Sequence, residues 1–239
     1  MKDTQPAKRF PSPARPAIAF CLLSCVLSSL LSSALYADSV NSWGYMVVDN
    51  TNCVGSRFTA ISAGTDHSVA LKSDGSIFAW GSYLDNLARS PAGNNFIAIE
   101  AGWSHSLALK ADGSIVGWGA SYYGQITPPD GNNFIAVAAG REYSLALKTD
   151  GSIVGWGRQF YGEATPPYGN DFTAIAAGGY HSLALKSDGS IAGWGLNSSG
   201  QTTPPDGNNF IAITAGWYHS LALKSDGTIV GWGLNDSGQ

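Results

Sequence analysis

Charge is scarce in this chain. Only 13% of its 239 residues are charged, about half of the roughly 25% of an ordinary soluble domain, which excludes a polyelectrolyte tail and a charge-laced coiled coil. Cysteine is nearly absent. Of the three, Cys21 and Cys25 fall in an N-terminal apolar stretch and Cys53 stands alone, so there is neither a disulfide framework nor a redox pair and the fold must hold by packing. A basic excess is missing as well. The formal charge is -4, and the first 37 residues carry Lys2, Lys8, Arg9 and Arg15 against Asp3, which leaves nine basic and sixteen acidic residues downstream. A surface of that sign repels phosphate backbones and anionic lipid, so nucleic acid is not the expected partner. No window shows a helical period, and Pro128-Pro129, Pro166-Pro167 and Pro204-Pro205 block helix where they fall. What the chain has instead is glycine, with 30 residues, and tryptophan, with 8.

The four basic residues precede an uncharged run from Ala17 to Ala37, AIAFCLLSCVLSSLLSSALYA. This is the order of a secretory signal, and residues 1–37 are read as one, cleaved after Ala37. Its many serines favour a cleaved signal over a membrane anchor of the same length. The expected location is therefore the medium, the periplasm or the cell surface, with no membrane span after cleavage.

From Phe58 the chain copies itself. FTAISAG at Phe58 returns as FIAIEAG at Phe96, FIAVAAG at Phe134, FTAIAAG at Phe172 and FIAITAG at Phe210, always 38 residues apart. This divides the chain into repeats 58–95, 96–133, 134–171, 172–209 and 210–239. Residues 38–57, around Trp43, read as the tail strand of a partial repeat. Each copy predicts three short strands. In HSLALK of the second, His105, Leu107 and Leu109 alternate with Ser106, Ala108 and Lys110, the period of a strand. An Asp-Gly turn follows, with glycine where a tight hairpin needs positive φ. The third strand, SIVGWG, sets a tryptophan among glycines. One such sheet cannot bury both faces alone, so the units must stack. The class is all-β, and a β-propeller of three- to four-stranded blades suits the 38-residue period better than a solenoid.

The core AG-x-x-HSLALKSDGSIVGWG, followed by GQTTPP, resembles the regulator of chromosome condensation repeat family. Within it the chain is similar to the short-repeat bacterial type of the propeller-type β-lactamase inhibitor protein. The resemblance spans residues 40–239 and implies a seven-bladed ring. Five repeats fall short of seven, and the chain stops at Gln239 inside a connection, so an incomplete ring is expected, either a fragment of a longer chain or copies that associate to close it.

Alternating strands send the AG-x-x-HS loops and the starts of the connections to one face and the Asp-Gly turns to the other. The Asp-Gly side hardly varies between copies. The opposite face varies, and it is rich in rings: Trp103, Tyr122, Tyr123, Phe160, Tyr161, Tyr180, Trp217 and Tyr218. Aromatic residues in glycine-rich loops on a rigid scaffold have the composition of a recognition surface. These eight are the expected partner-binding residues, local packing over the blade tops being the other reading.

The four histidines, His67, His105, His181 and His219, share one repeat position, where the third copy has Tyr143. Because each sits in a different repeat, they are read as structural groups bonded to neighbouring backbone, not as ligands converging on zinc. Asp74, Asp112, Asp150, Asp188 and Asp226 lack the spaced carboxylates of a calcium loop and are read as turn residues. No phosphate loop and no nucleophile–base pair beyond the repeat pattern is present, so no enzyme, cofactor or metal is expected. The expected function is a secreted, non-enzymatic module that engages a protein through its aromatic face, in the manner of an inhibitor as the resemblance implies. Carbohydrate or surface-polymer binding by the same rings and a structural repeat without a ligand are the alternatives. Nucleotide exchange, the activity of the family's eukaryotic founder, is disfavoured by the leader, the acidic balance and the compact loops.

Overall fold

The computed structural model describes residues 57–238. The leader, the partial repeat around Trp43, Cys53 and the chain end at Gln239 lie outside them. The described chain is all-β, five three-stranded antiparallel sheets arranged as propeller blades. They are β1–β3 (Phe58–Ala63, His67–Lys72, Ile77–Gly81), β4–β6 (Phe96–Ala101, His105–Lys110, Ile115–Gly119), β7–β9 (Phe134–Ala139, Tyr143–Lys148, Ile153–Gly157), β10–β12 (Phe172–Ala177, His181–Lys186, Ile191–Gly195) and β13–β15 (Phe210–Ala215, His219–Lys224, Ile229–Gly233). The first strand of each blade lies beside the first strand of the next, so these strands are the innermost. Every first strand opens with a bulge, as where Phe96 pairs with Lys110 and Ala98 with Leu109. The Asp-Gly turns are as expected, with Gly113 at φ 81° and Asp112 Oδ1 accepting from the Ser114 amide at 2.9 Å and its hydroxyl at 2.7 Å.

Alternation along the middle strand gives each blade two apolar faces. Leu107, Leu109 and Ile115 point to the following blade, where they meet Phe134, Val137 and Ala146. The same register buries Val69, Leu71 and Ile77 against Phe96, Ile99, Ala108 and Trp118. Each buried aliphatic side chain stabilises by about 1.5–3 kcal/mol, so a blade gains its stability from its neighbours. In the fifth blade the equivalent face is uncovered among the described residues: Ile115 is 8% exposed, whereas Ile229 is 71% exposed.

A polar rung repeats inside these apolar interfaces. The indole N–H of Trp156 donates to the Gln125 carbonyl at 2.8 Å, and Ser144 Oγ donates to the same oxygen at 2.9 Å. Glu163 O plays this part for Trp194 and Ser182, and Gln201 O for Trp232 and Ser220. Leu87, 38 residues before Gln125, accepts from Trp118 at 3.2 Å, although its connection turns through a 3-10 segment, Leu84–Asn86, where the second repeat has Tyr122-Tyr123-Gly124. Histidine completes the rung from the preceding blade, with Nε2 of His105 at 3.0 Å from Ser144 Oγ and Nε2 of His181 at 2.9 Å from Ser220 Oγ. The sequence reading placed backbone opposite these rings, and the structure corrects it. The partner is the serine that follows the next blade's histidine or, for His105, the one that follows Tyr143, because the ring, lying against its own loop's glycine, reaches across the interface.

Since the Ser144 and Ser220 hydroxyls are spent on carbonyls, Nε2 must carry the proton of His105 and His181, and Nδ1 of His67, His105 and His181 has no hydrogen-bond partner. Burial in this setting lowers the affinity of all three for a second proton, to pKa about 3 in His105 and about 4 in His181, with His67 lowered as well. Tyr143 keeps the rung without a titratable nitrogen. Its hydroxyl donates to the His181 carbonyl at 2.5 Å and lies 2.9 Å from Ser182 Oγ.

The tryptophan's neighbouring glycine has a separate role. The connection leaving each of the inner blades doubles back over its third strand, so that a Cβ on Gly155 would stand 2.2 Å from the Ala164 carbonyl oxygen, and one on Gly117 2.5 Å from that of Ile126. The chain's own connection thus fills the space beside the glycine. Blade one carries Ala79 at this position, and its connection is the one with the 3-10 turn.

Two outcomes are expected. Gly155→Ala costs about 1–3 kcal/mol, read as a lowered midpoint in chemical unfolding with unchanged slope. In the second, histidines depressed in the folded state bind fewer protons than in the unfolded chain, so stability falls as pH drops below about 6.5, by about 1.4 kcal/mol per pH unit per group. Glu100, raised to about 7 by burial, opposes one histidine between 4.5 and 6.5, but His105 and His181, with His67 acting in the same direction, outweigh it. Denaturant titrations across this window give a positive slope, and His105→Tyr, which installs the third blade's residue, reduces that slope by about one group.

Candidate binding face

The first-to-second strand loops are short because the glycine amide turns back on its own blade, as in Gly140 N–H to Tyr143 O at 2.9 Å. Their two variable residues are therefore pushed up and inward at the top of the ring. The residue after Trp-Gly bonds to the same loop, Arg158 N–H to Glu142 O at 2.9 Å and Leu196 N–H to Tyr180 O at 2.9 Å. Both variable segments thus emerge on one face, with the Asp-Gly turns on the other. At the axis the Ala-Gly ends of all five first strands, from Ala63-Gly64 to Ala215-Gly216, surround an open cavity of about 250 Å3.

Seven of the eight singled-out rings fall into two clusters, one of five rings and one of two. Trp103, in the second blade, meets Trp217, in the fifth, edge to face at 5.9 Å across the axis. Trp217 meets Tyr180 at 5.8 Å, and Tyr180 is stacked on Tyr218 at 5.8 Å and edge-on to Tyr161 at 5.8 Å. Tyr123 and Phe160 form an edge-to-face pair at 5.5 Å. Tyr122 stands apart, 71% exposed, its hydroxyl donating to Asp85 Oδ2 at 3.1 Å. Tyr123, Phe160, Tyr161 and Trp217 are exposed, while Trp103, Tyr180 and Tyr218 are half-buried. Such ring pairs contribute about 0.5–1.5 kcal/mol each beyond their burial.

Two arginines that were not among the expected site residues hold the rings together. Arg158 packs over Phe160 at 4.8 Å, Tyr180 at 4.8 Å and Tyr161 at 5.4 Å, joining the two ring clusters. Arg141 lies 4.0 Å over Trp103, 5.0 Å from Tyr180 and 5.6 Å from Trp217. Arg158 is nearly buried and sits 3.5 Å from both Glu142 and the fully buried Glu163. Glu163 stands where the second and fourth repeats have Gln125 and Gln201, and it keeps their bond: its carboxylate accepts the Tyr161 amide at 2.7 Å, as Gln125 Oε1 accepts that of Tyr123 at 2.9 Å. The exchange of amide for acid is thus matched by Arg158, which neutralises a charge that burial alone would disfavour. Comparing the third repeat with its siblings carries the signal, because Arg141, Glu142, Tyr143, Arg158 and Glu163 all depart from the pattern there. The structure brings these five departures to one place. Among the described residues no group of three or more histidine, cysteine, aspartate or glutamate side chains is placed to hold a metal, and no helix is long and apolar enough to cross a membrane.

The geometry has counterparts among known proteins. The structure of Prp20p from Saccharomyces cerevisiae, described with its binding properties to Gsp1p and histones, superposes with a TM-score of 0.67 at 20% identity, over 77% of this chain and 59% of that one. Yeast RCC1 (Prp20) bound to Kap60 gives 0.65 at 21% identity, over 76% and 57%. The ectodomain of the receptor kinase CR4 from Physcomitrella patens gives 0.65 at 24%, over 75% and 53%. The chain thus spans less than two thirds of the length of these structures, and at such identities the likeness establishes the fold. No curated protein sequence matches the chain. The model of the regulator of chromosome condensation (RCC1) repeat matches residues 58–83, 96–125, 134–163, 172–201 and 210–239, and the chain belongs to that family.

Proposed function

We propose that the chain is a non-enzymatic interaction module that binds a protein through the loop face bearing Trp103, Tyr123, Phe160, Tyr161, Tyr180, Trp217 and Tyr218, with Tyr122 at its edge. One observation carries this reading: the rings converge into a single patch on the face where the chain departs from its own repeat. Interfaces concentrate their energy in clustered aromatic and arginine residues of this kind, and rings cost little entropy to hold in place. Protein binding also accords with the yeast structures, in which Prp20 is bound to Kap60 or described with its binding to Gsp1p and histones. An irregular protein epitope suits the patch better than a sugar, because the rings meet mainly edge to face and differ from blade to blade, leaving no repeated flat platform. The leader favours an exported protein, at the cell surface, in the periplasm or in the medium. Inhibition of an enzyme is one form such binding takes.

The test is capture from secreted and envelope fractions with the full chain and with a Trp103→Ala, Trp217→Ala variant of equal circular dichroism. A protein retained by the first and weakened at least about thirtyfold by the second, as the loss of two central anchors entails, is the expected result. Retention of the same proteins by both baits overturns the reading, and a captured glycan replaces protein binding with polysaccharide binding.

A further inference from the structure

The axial cavity has one charged group in its wall. Its lining consists of the Ala-Gly pairs with Thr65, Trp103, Arg141, Gly179 and Trp217, so Arg141 is its only ionic side chain among the described residues. Its guanidinium carbon lies 4.0 Å from the centre of the Trp103 ring, 5.0 Å from that of Tyr180 and 5.6 Å from that of Trp217. Arginine's donors lie in the plane of the group and radiate from its edge, where a carboxylate can meet two of them at once. Nε is buried without a hydrogen-bond partner. The nearest carboxylate, Glu142, reaches it only at 4.0 Å and lies closer, at 3.5 Å, to Arg158. Arg158 already has Glu163 as a second counter-charge. Of the two ring-bound arginines, Arg141 is therefore the one whose charge is poorly compensated, and its side chain, 23% exposed, is reachable from solvent.

We infer that Arg141, held between Trp103, Tyr180 and Trp217 at the mouth of the axial cavity, is a receptor for the carboxylate of an aspartate or glutamate carried on a loop of the protein partner. The carboxylate meets the guanidinium edge in a two-point, charge-assisted pairing, while the surrounding rings exclude water from it. A single cation matches a monoanion. A phosphate dianion would need further cations or convergent backbone amides, and the cavity wall supplies no second cation among the described residues. The space of about 250 Å3 admits an acidic side chain with its stem. Arg141 thereby acts as the specificity element of a face whose rings supply contact area.

This inference rests on the protein-binding reading, and its test separates the two. The full chain is used to select from a displayed library of randomised constrained loop peptides, and the binders are measured by calorimetry against the native chain, Arg141→Gln, Arg141→Lys and the Trp103→Ala, Trp217→Ala variant, all checked by circular dichroism. The expected binders share an acidic residue. Its change to Asn or Gln weakens binding to the native chain about tenfold or more and changes binding to Arg141→Gln less than about twofold, because the pair is already broken. Arg141→Lys restores part of the loss, as a point charge without the fork. Binders that lose affinity on the tryptophan variant but carry no shared acid, or whose acid matters equally on Arg141→Gln, overturn the carboxylate inference and leave the binding face standing. Binders indifferent to the tryptophan variant, or a library that yields none, overturn both.

Discussion

One carbonyl oxygen per interface holds the stack of blades in register. The carbonyls of Gln125, Glu163 and Gln201 each accept a tryptophan N–H and a serine O–H from the following blade. Apolar contact between leucine and isoleucine faces is strong but non-directional, and two sheets packed by it alone are free to slide. The shared carbonyl removes that freedom, because a slip strands two buried donors at a cost of about 1–3 kcal/mol each. Histidine or Tyr143 extends the rung to the preceding blade, so each polar chain touches two sheets and the connection between them.

The binding face depends on this registration. Trp103 and Trp217 belong to blades three repeats apart, and they meet at 5.9 Å only because the intervening blades fix the curvature of the stack. The third blade carries the cost of the face. It holds Arg141 and Arg158 among rings, Glu163 fully buried, and Tyr143 in place of histidine. Its alterations are mutually compensating: Arg158 answers Glu142 and Glu163, and Tyr143 preserves the interface its histidine siblings make.

Much of this was legible in the sequence. The period of 38, the alternation in HSLALK and the Asp-Gly turns gave three-stranded blades, and the face to which the variable loops project followed from strand direction alone. Serine was read as a strand residue and histidine as bonded to nearby backbone, and both readings missed the rung because it spans separate repeats. Arg158 and Glu163 went unremarked since neither is aromatic. Their departures from the repeat were visible, but a lone arginine and a lone glutamate have no meaning as a pair until their connecting loop folds over the sheet.

By itself the sequence determined the unit: strand lengths, turn type, apolar faces and the number of repeats, all of which are set by contacts within one copy or between adjacent identical copies. The tertiary structure decided which variable residues share a surface. Tyr122 and Tyr123 are chain neighbours, yet one reaches back to Asp85 and the other joins Phe160. Loop direction and ring curvature decide between them, and these arise only when the blades pack around a common axis, a property of the stack that no single 38-residue copy contains.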